Sequence, residues 1–467
     1  MPAKVYKYER VLAYLDNILL PVLEPGMLLP DTEQLCRELD CSLITLNHAL
    51  AILSRRGRIK RIRNKGTVVL APALREKPLP KRRLVRVLGI APGMWNFMRA
   101  MEIALTRYRD CHEELEFRFE YPQVDEWFDR IRDHDYDLIF GNTDAIRLIM
   151  NSPELRGRVM ILEQLRKLEF SREDFPDNVI GFCSELNHWR AVPLTAAPVF
   201  QLINPRHPEI DPARLPDSLP EFLDHLRRRQ SGGRPMLAIR MALSYIETFF
   251  RAQKLSLFSP DGARCLLDTP ETQHLLEQLS GFITRDKLLF PITTQIESRF
   301  FAHNNVLENI LDENLALRWA SSLDFRPGSE IKYYITPPPG ALHTPGTHLF
   351  LEGVMAGISS DPDLVTPILN YLQSIAVQNL LVGCAGVPAR QDMRTLLLAR
   401  LEPAYPGITR TVHATLPHAT PVRCGSPTAS TVLLEYIQAI LGGLLSVPEG
   451  CRQAMRRIET EFKIRNR

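Results

Sequence analysis

Apolar positions near the start of the chain recur at helical spacing. Tyr8, Val11, Leu12, Leu15 and Leu19 share one face and predict an amphipathic helix over residues 5–20. "LEPGMLLP" breaks that run. Asp31 then stands where a helix N-cap belongs, with Gln34 three residues on as its reciprocal partner and Leu35 and Leu39 facing inward. After the turn "DCS", Ser42 can cap a further helix whose buried stripe is Leu46, Ala49, Leu50 and Leu53. The pattern then changes. "RIKRIR", "NKG" and "TVVLAP" read as two short strands joined by a glycine turn. A helix, a helix-turn-helix and a hairpin make a winged helix over residues 1–72.

Residues 73–85, within the proline- and charge-rich run "APALREKPLPKRRL", show no periodicity and read as a tether. Beyond it, buried-strand runs such as "VRVLGIA" and "YDLIFGN" alternate with helical stretches at about 96–109 and in "VDEWFDRIRD". Such alternation predicts an α/β body over residues 86–467, with any ligand at the carboxyl ends of its strands.

Charge sharpens this division. Residues 1–85 hold 16 Lys+Arg against 8 Asp+Glu, leaving 41 bases and 46 acids for the rest. Seven of the bases lie in "SRRGRIKRIRNKGTVV", residues 54–69, with no acid among them. A basic head on a mildly acidic body points to a module for a polyanion, here double-stranded DNA. Arg61, Arg63 and Lys65 suit phosphate contacts on the wing, supported by Arg55, Arg56 and Arg58, and Gly66 of the wing turn is a further candidate contact. The outward face of the third helix offers Ser42, Leu43, Ile44, Thr45, Asn47 and His48. Asn47 can pair with adenine, and Leu43 or Ile44 can meet thymine methyl groups.

The head resembles the GntR family of bacterial transcription regulators. Pro25, Gly26, Leu29, Pro30, Leu35, Ser42, Thr45, Ala49, Leu50, Leu53, Gly57, Gly66 and Thr67 match its pattern over about residues 5–70. The positions of the family's three DNA-contacting arginines are Glu33, Leu43 and Asn47 here, so two phosphate grips and one base reader are missing. The head can therefore instead bind DNA without sequence preference, or serve for dimerisation beside a partner-binding body.

The body resembles the extracellular solute-binding proteins of carbohydrate ABC transporters, the type II periplasmic-binding fold. The stretches that carry the resemblance are 189–194, 219–223, 261–271, 352–359 and 386–390, in the family's order. It implies two α/β lobes, about 86–193 with 351–390 and 194–350 with 391–467. The type I fold of LacI-like repressors ranks second. A sugar cleft pairs aromatic platforms with convergent polar groups. Its candidates here are Trp95, Asn96, Asn142, Asp144, Tyr245, Arg318, Trp319 and Glu352.

The combination implies a homodimeric, cytoplasmic regulator whose grip on an operator responds to a small ligand. The start of the chain shows no secretory signal pattern, and the eight cysteines are scattered without a Cys-x-x-Cys pair. No metal, cofactor or catalytic residue is expected. GntR heads also occur on pyridoxal-phosphate-binding aminotransferase-like bodies. After residue 90 the lysines are Lys167, Lys254, Lys287, Lys332 and Lys463, and none lies in a serine-rich Schiff-base loop. No Gly-x-Ser-x-Gly, Walker or His-Glu-x-x-His pattern occurs.

Overall fold

The computed structural model describes residues 11–12, 14–15, 19–20, 23, 26–55, 57–62, 66–70, 82–89, 95–122, 124–259, 262, 264–293, 315–320, 332–343, 346–383, 386–421 and 427–465. The chain forms two compact units, Met1–Arg82 and Arg83–Arg467. The tether expected over 73–85 lies mostly outside the described residues, and 83–85 already belong to a strand.

In the head, helices Thr32–Glu38 and Leu43–Arg55 are followed by antiparallel strands β1 (Ile59–Ile62) and β2 (Gly66–Val69). The predicted stripe is the core. Leu46, Ala49, Leu50 and Leu53 are buried together with Val11, Leu15, Leu20, Leu35, Ile59 and Val69. Asp31 Oδ1 accepts from Gln34 N at 2.7 Å, the expected cap. The reciprocal half of the capping box is absent, because the Gln34 amide donates to Glu38 Oε1 at 2.8 Å instead. Ser42 Oγ accepts from Thr45 N at 3.2 Å and starts the second helix. Gly66 opens β2 at φ +104°, a conformation that a Cβ would strain, which accounts for glycine at the end of the wing turn.

The second unit contains two mixed five-stranded sheets. The first runs in the order β4 (Leu115–Glu120), β3 (Arg83–Leu88), β5 (Leu138–Asn142), β14 (Leu349–Ala356), β8 (Val192–Pro198). The second runs β11 (Leu289–Ile292), β10 (Leu237–Arg240), β12 (Leu317–Ala320), β9 (Phe200–Ile203), β13 (Tyr334–Thr336). A two-stranded ribbon, β6 (Ser184–Glu185) and β7 (His188–Trp189), completes the strands. Parallel neighbours β4, β3 and β5 are joined by helices Trp95–Cys111 and Val124–Asp133, as alternating strand and helix patterns require. The winged-helix head and two-lobed α/β body expected from sequence are both present.

The lobes are not contiguous in sequence. β8 ends at Pro198 and β9 begins at Phe200, so one residue carries the chain from the first sheet to the second. The chain returns through 346–349 into β14. The expected division put 391–467 wholly with the second lobe. Instead, Leu397, Leu398, Ile408, Val412 and Leu416 join the first core, and only the helices Pro427–Leu441 and Val447–Arg465 fill the second. The reason lies just upstream. Ala196 N donates to Val387 O at 2.9 Å and Ala389 N to Leu194 O at 3.2 Å, which ties 386–389 along β8. From there helix Ile408–Thr415 reaches β13, where Thr411 Oγ1 donates to Ile335 O at 3.1 Å.

Where the returning segments meet, 346–349 and 418–421 run side by side, with Thr420 N donating to Thr347 O and Leu349 N to Thr420 O, both at 3.0 Å. Helix Leu243–Ala252 of the second lobe fastens both. Arg251 donates to Thr347 O at 2.8 Å, to Thr420 O, and to Pro421 O at 2.9 Å, and pairs with Glu247 at 3.5 Å. Glu247 in turn accepts from Ser256 Oγ at 2.8 Å and Leu257 N at 3.1 Å. Both ions are buried, so each depends on the other and on these carbonyls and donors. Replacing Arg251 by Met should cost about 3–5 kcal/mol in denaturant unfolding of the full chain, because Glu247 is left buried and uncompensated. The double replacement Arg251→Met with Glu247→Gln should recover part of that loss. An Arg251→Met chain as stable as the parent would show that the pair contributes nothing.

Candidate functional site

The head presents its second helix outward. Leu43 is 54 % exposed and Ile44 83 % exposed, an unusual pair of large apolar side chains on a short basic domain. Ser42 and Thr45 hydroxyls lie 2.9 Å apart at the helix start, so both are engaged in capping. Asn47 is half-buried, and His48, Arg55, Arg61 and Gly66 are exposed. Arg61, on β1, donates from Nη2 to Asn47 Oδ1 at 2.6 Å. Arg56, Arg63 and Lys65 lie outside the described residues.

In the body, the carboxyl ends of β4, β3 and β5 define one edge of the first sheet. Strand β14 enters antiparallel at that edge, which places Glu352 opposite Asn142 on one side and Thr195 of β8 on the other. In the second sheet the parallel strands β11, β10 and β12 end at Ile292, Arg240 and Ala320, and β9 starts beside them. The single-residue crossing from β8 to β9 brings these two edges together. In open α/β sheets, ligands bind in a crevice outside such strand ends.

Glu352 is 5 % exposed, yet only one of its oxygens is satisfied. Thr195 Oγ1 donates to Oε2 at 2.8 Å. Oε1 has no hydrogen-bond partner among the described residues. Burial pushes the carboxyl up to about 7, against the opposing pull of the Thr195 hydroxyl. A buried acceptor without a donor costs free energy unless something supplies one.

The remaining sequence candidates divide. Asn142 Oδ1 accepts from Ala145 N at 3.0 Å and caps helix Thr143–Asn151, which leaves its amide N–H groups to face elsewhere. Asp144 is exposed and pairs with Arg147 at 3.0 Å. Trp319 is 1 % exposed, lies 4.1 Å from Phe249 between ring centroids, and donates to Gln201 Oε1 at 3.2 Å. Its side chain packs within the second core. Tyr245 is likewise buried, its ring 5.6 Å from that of Phe350. Arg318 lies over the Tyr333 ring at 5.7 Å. Trp95 and Asn96 open the helix Trp95–Cys111, but their side chains lie outside the described residues.

Two polar residues near these strand ends were missed from sequence. Thr195 touches Glu352, while Gln201 receives the Trp319 N–H and donates to Thr336 Oγ1 at 3.2 Å. Each is a polar residue inside an otherwise apolar strand run, "VPLTAAP" and "FQLI", and that contrast was the available signal. His348, at the crossing, was also missed. Burial, with Arg251 and Arg147 nearby, holds its imidazole well below the ordinary value, so it stays neutral. No group of His, Cys, Asp or Glu among the described residues is arranged to hold a metal ion. No helix among them is long and apolar enough to cross a membrane.

Residues 7–69 match the family described as bacterial regulatory proteins, gntR family. The head is a gntR-family helix-turn-helix domain. The gntR head thus joins a body whose likeness is structural. An ABC substrate-binding protein from Listeria monocytogenes, in complex with cycloalternan, superposes with a TM-score of 0.64 at 11 % identity, covering 82 % of this chain and 99 % of that one. An ABC transporter solute-binding protein from Thermotoga lettingae TMO, bound with α-D-tagatose, gives 0.63 at 14 %, covering 81 % and 100 %. The maltose/maltodextrin-binding domain from Bdellovibrio bacteriovorus, bound to maltotriose, gives 0.62 at 15 %, covering 82 % and 100 %. At these identities the likeness is one of fold. Comparison of the sequence with curated proteins gives no match.

The state of Glu352 has a measurable signature. Its folded value of about 7 lies above the ordinary 4.5, so between the two the folded chain holds a proton that the unfolded chain has lost. The associated stability is fully present below about 4.5 and is lost as pH rises through about 7. Glu352→Gln lacks this dependence. The stability of the variant relative to the parent should therefore rise from pH 4.5 and level off above pH 7, by a total on the order of 3 kcal/mol. Parallel stability curves for the two chains across that range would contradict a buried, half-satisfied carboxyl.

Proposed function

We propose that this protein is a DNA-binding transcription regulator whose operator affinity is set by a sugar or oligosaccharide held between the lobes of its body. The observation that carries the reading is the fusion itself, a gntR head on a body with the fold of solute-binding proteins. The solved relatives hold cycloalternan, tagatose and maltotriose, which supports a carbohydrate as the ligand class. Glu352 fits that class, since a hydroxyl supplies the donor that Oε1 lacks. Asn142, Thr195 and Glu352, in register across three strands, form the first-lobe side of the site, and Gln201 and Thr336 the second-lobe side.

Two lobes joined by crossing strands close on a ligand by hinge motion, and closure is the change of state that a sensor transmits. The protein acts in the cytoplasm as a homodimer on paired half-sites, because a two-headed arrangement matches operator symmetry. Ser42, Leu43, Ile44, Thr45, Asn47, His48, Arg55, Arg56, Arg61, Arg63, Lys65 and Gly66 supply the DNA surface. The reading assigns no catalytic step and no cofactor.

The test uses the full chain with a panel of mono- and oligosaccharides. A true ligand at ~100 times its Kd should stabilise by roughly 2.7 kcal/mol, visible as a raised Tm, and should shift DNA affinity in a gel-retardation series. Glu352→Leu and Asn142→Ala should each raise the Kd for that sugar about tenfold, as expected for losing one hydrogen bond to a buried polar group. A panel with no stabilising carbohydrate, or a sugar that binds tightly without altering DNA affinity, would overturn the assignment.

A further inference from the structure

The missing family arginines leave open how the second helix of the head discriminates bases. The contact between Arg61 and Asn47 bears on this. The two residues lie 14 positions apart, one on β1 and the other on helix Leu43–Arg55. A guanidinium carries only donors, so the side-chain amide can face it only with its oxygen. The 2.6 Å bond therefore fixes which way the amide points. It is also charge-assisted, and so stronger than a bond between neutral groups.

An unconstrained asparagine offers an acceptor and a donor side by side, which matches the N6 donor and N7 acceptor of adenine. Here one of the two lone pairs of that acceptor is taken by the wing, and the guanidinium stands against it. What the pair offers a base edge is then mostly donors, the Asn47 amide N–H group and the unused guanidinium N–H groups. The base whose major-groove edge presents only acceptors is guanine, through O6 and N7. An adenine N6 amino group would meet a surplus of donors and could pair only with the remaining lone pair of Asn47 Oδ1, beside the guanidinium. The exposed Leu43 and Ile44, one turn earlier, add apolar contact with neighbouring thymine methyl groups.

We propose that Arg61 and Asn47 act as one composite reader that selects guanine in each half-site, with Arg61 setting the orientation of Asn47. This rests on the reading of the head as a DNA-binding domain. It departs from both the adenine contact and the phosphate contact that the two residues suggest when taken singly.

The experiment is selection of bound duplexes from a randomised pool by the full-length protein, its Asn47→Ala and Arg61→Ala variants, and Arg61→Lys. Both side chains reach solvent, so folding should survive, and the heat-induced transition of each variant checks it. The parent should enrich guanine at one position per half-site. Asn47→Ala should abolish that preference, lowering discrimination by about 5- to 150-fold, the range for a good bidentate pair. Arg61→Ala should change the preferred base at that position from guanine to adenine, because Asn47 then offers both its donor and its acceptor. Arg61→Lys, with a single point of charge in place of the planar fork, should weaken the guanine preference partway. Adenine at the Asn47-dependent position in the parent would overturn the proposal. So would an Arg61→Ala protein that binds every sequence more weakly with no change of preferred base, which is the behaviour of a phosphate contact. A parent that binds DNA in a salt-dependent way but enriches no sequence would overturn both the composite reader and specific recognition by the head. Loss of the composite reader alone leaves an enriched operator behind.

Discussion

A guanidinium sealed between two chain crossings is the constraint on which the body depends. Arg251 spends its donors on the carbonyls of Thr347, Thr420 and Pro421, and Glu247 balances its charge. Hydrophobic contact alone cannot register those crossings, since apolar surfaces slide at little cost, whereas a buried ion with directional donors accepts one arrangement. The second-lobe helix that carries Arg251 is thereby locked to the segment that feeds β14. Glu352 follows only a few residues later on that strand, so the position of the crevice edge is inherited from this anchor. Rigid anchoring beside a half-satisfied carboxyl is the arrangement expected of a site prepared before its ligand arrives.

The two units treat unsatisfied polarity in opposite ways. In the body, the buried Oε1 of Glu352 has no donor among the described residues. In the head, the oxygen of Asn47 already accepts from Arg61, and the pair's remaining N–H groups outnumber its acceptors. The former suits a ligand dense in hydroxyl groups and the latter a base edge dense in acceptors. Both follow from the same accounting of donors and acceptors.

What could be read from the sequence follows the range of the interactions involved. The stripe Leu46, Ala49, Leu50 and Leu53, the caps at Asp31 and Ser42, and the strand runs of the body are set by neighbours a few residues away, and all appeared where expected. The missing half of the capping box turned on a rival partner, Glu38, one turn farther along. Trp319, on β12, and Tyr245, on helix Leu243–Ala252, are both buried, and an aromatic in an element covered by others carries no mark in the sequence of which neighbour it meets. Thr195 meets Glu352 across 157 residues, and Arg251 meets Pro421 across 170. Pairings of that span depend on topology, which periodicity does not encode.

The interleaving of the lobes bears on how the chain is made. The first core needs residues near 416 and the second needs residues near 458, so neither lobe is complete until those residues have left the ribosome. Until then, β14 and β8 can pair while apolar faces meant for the C-terminal helices stand open to water, the condition in which partly folded chains stick to one another. The head has no such dependence: its core is drawn entirely from the first seventy residues. During synthesis, then, the part that meets nucleic acid is finished hundreds of residues before the part that is proposed to govern it.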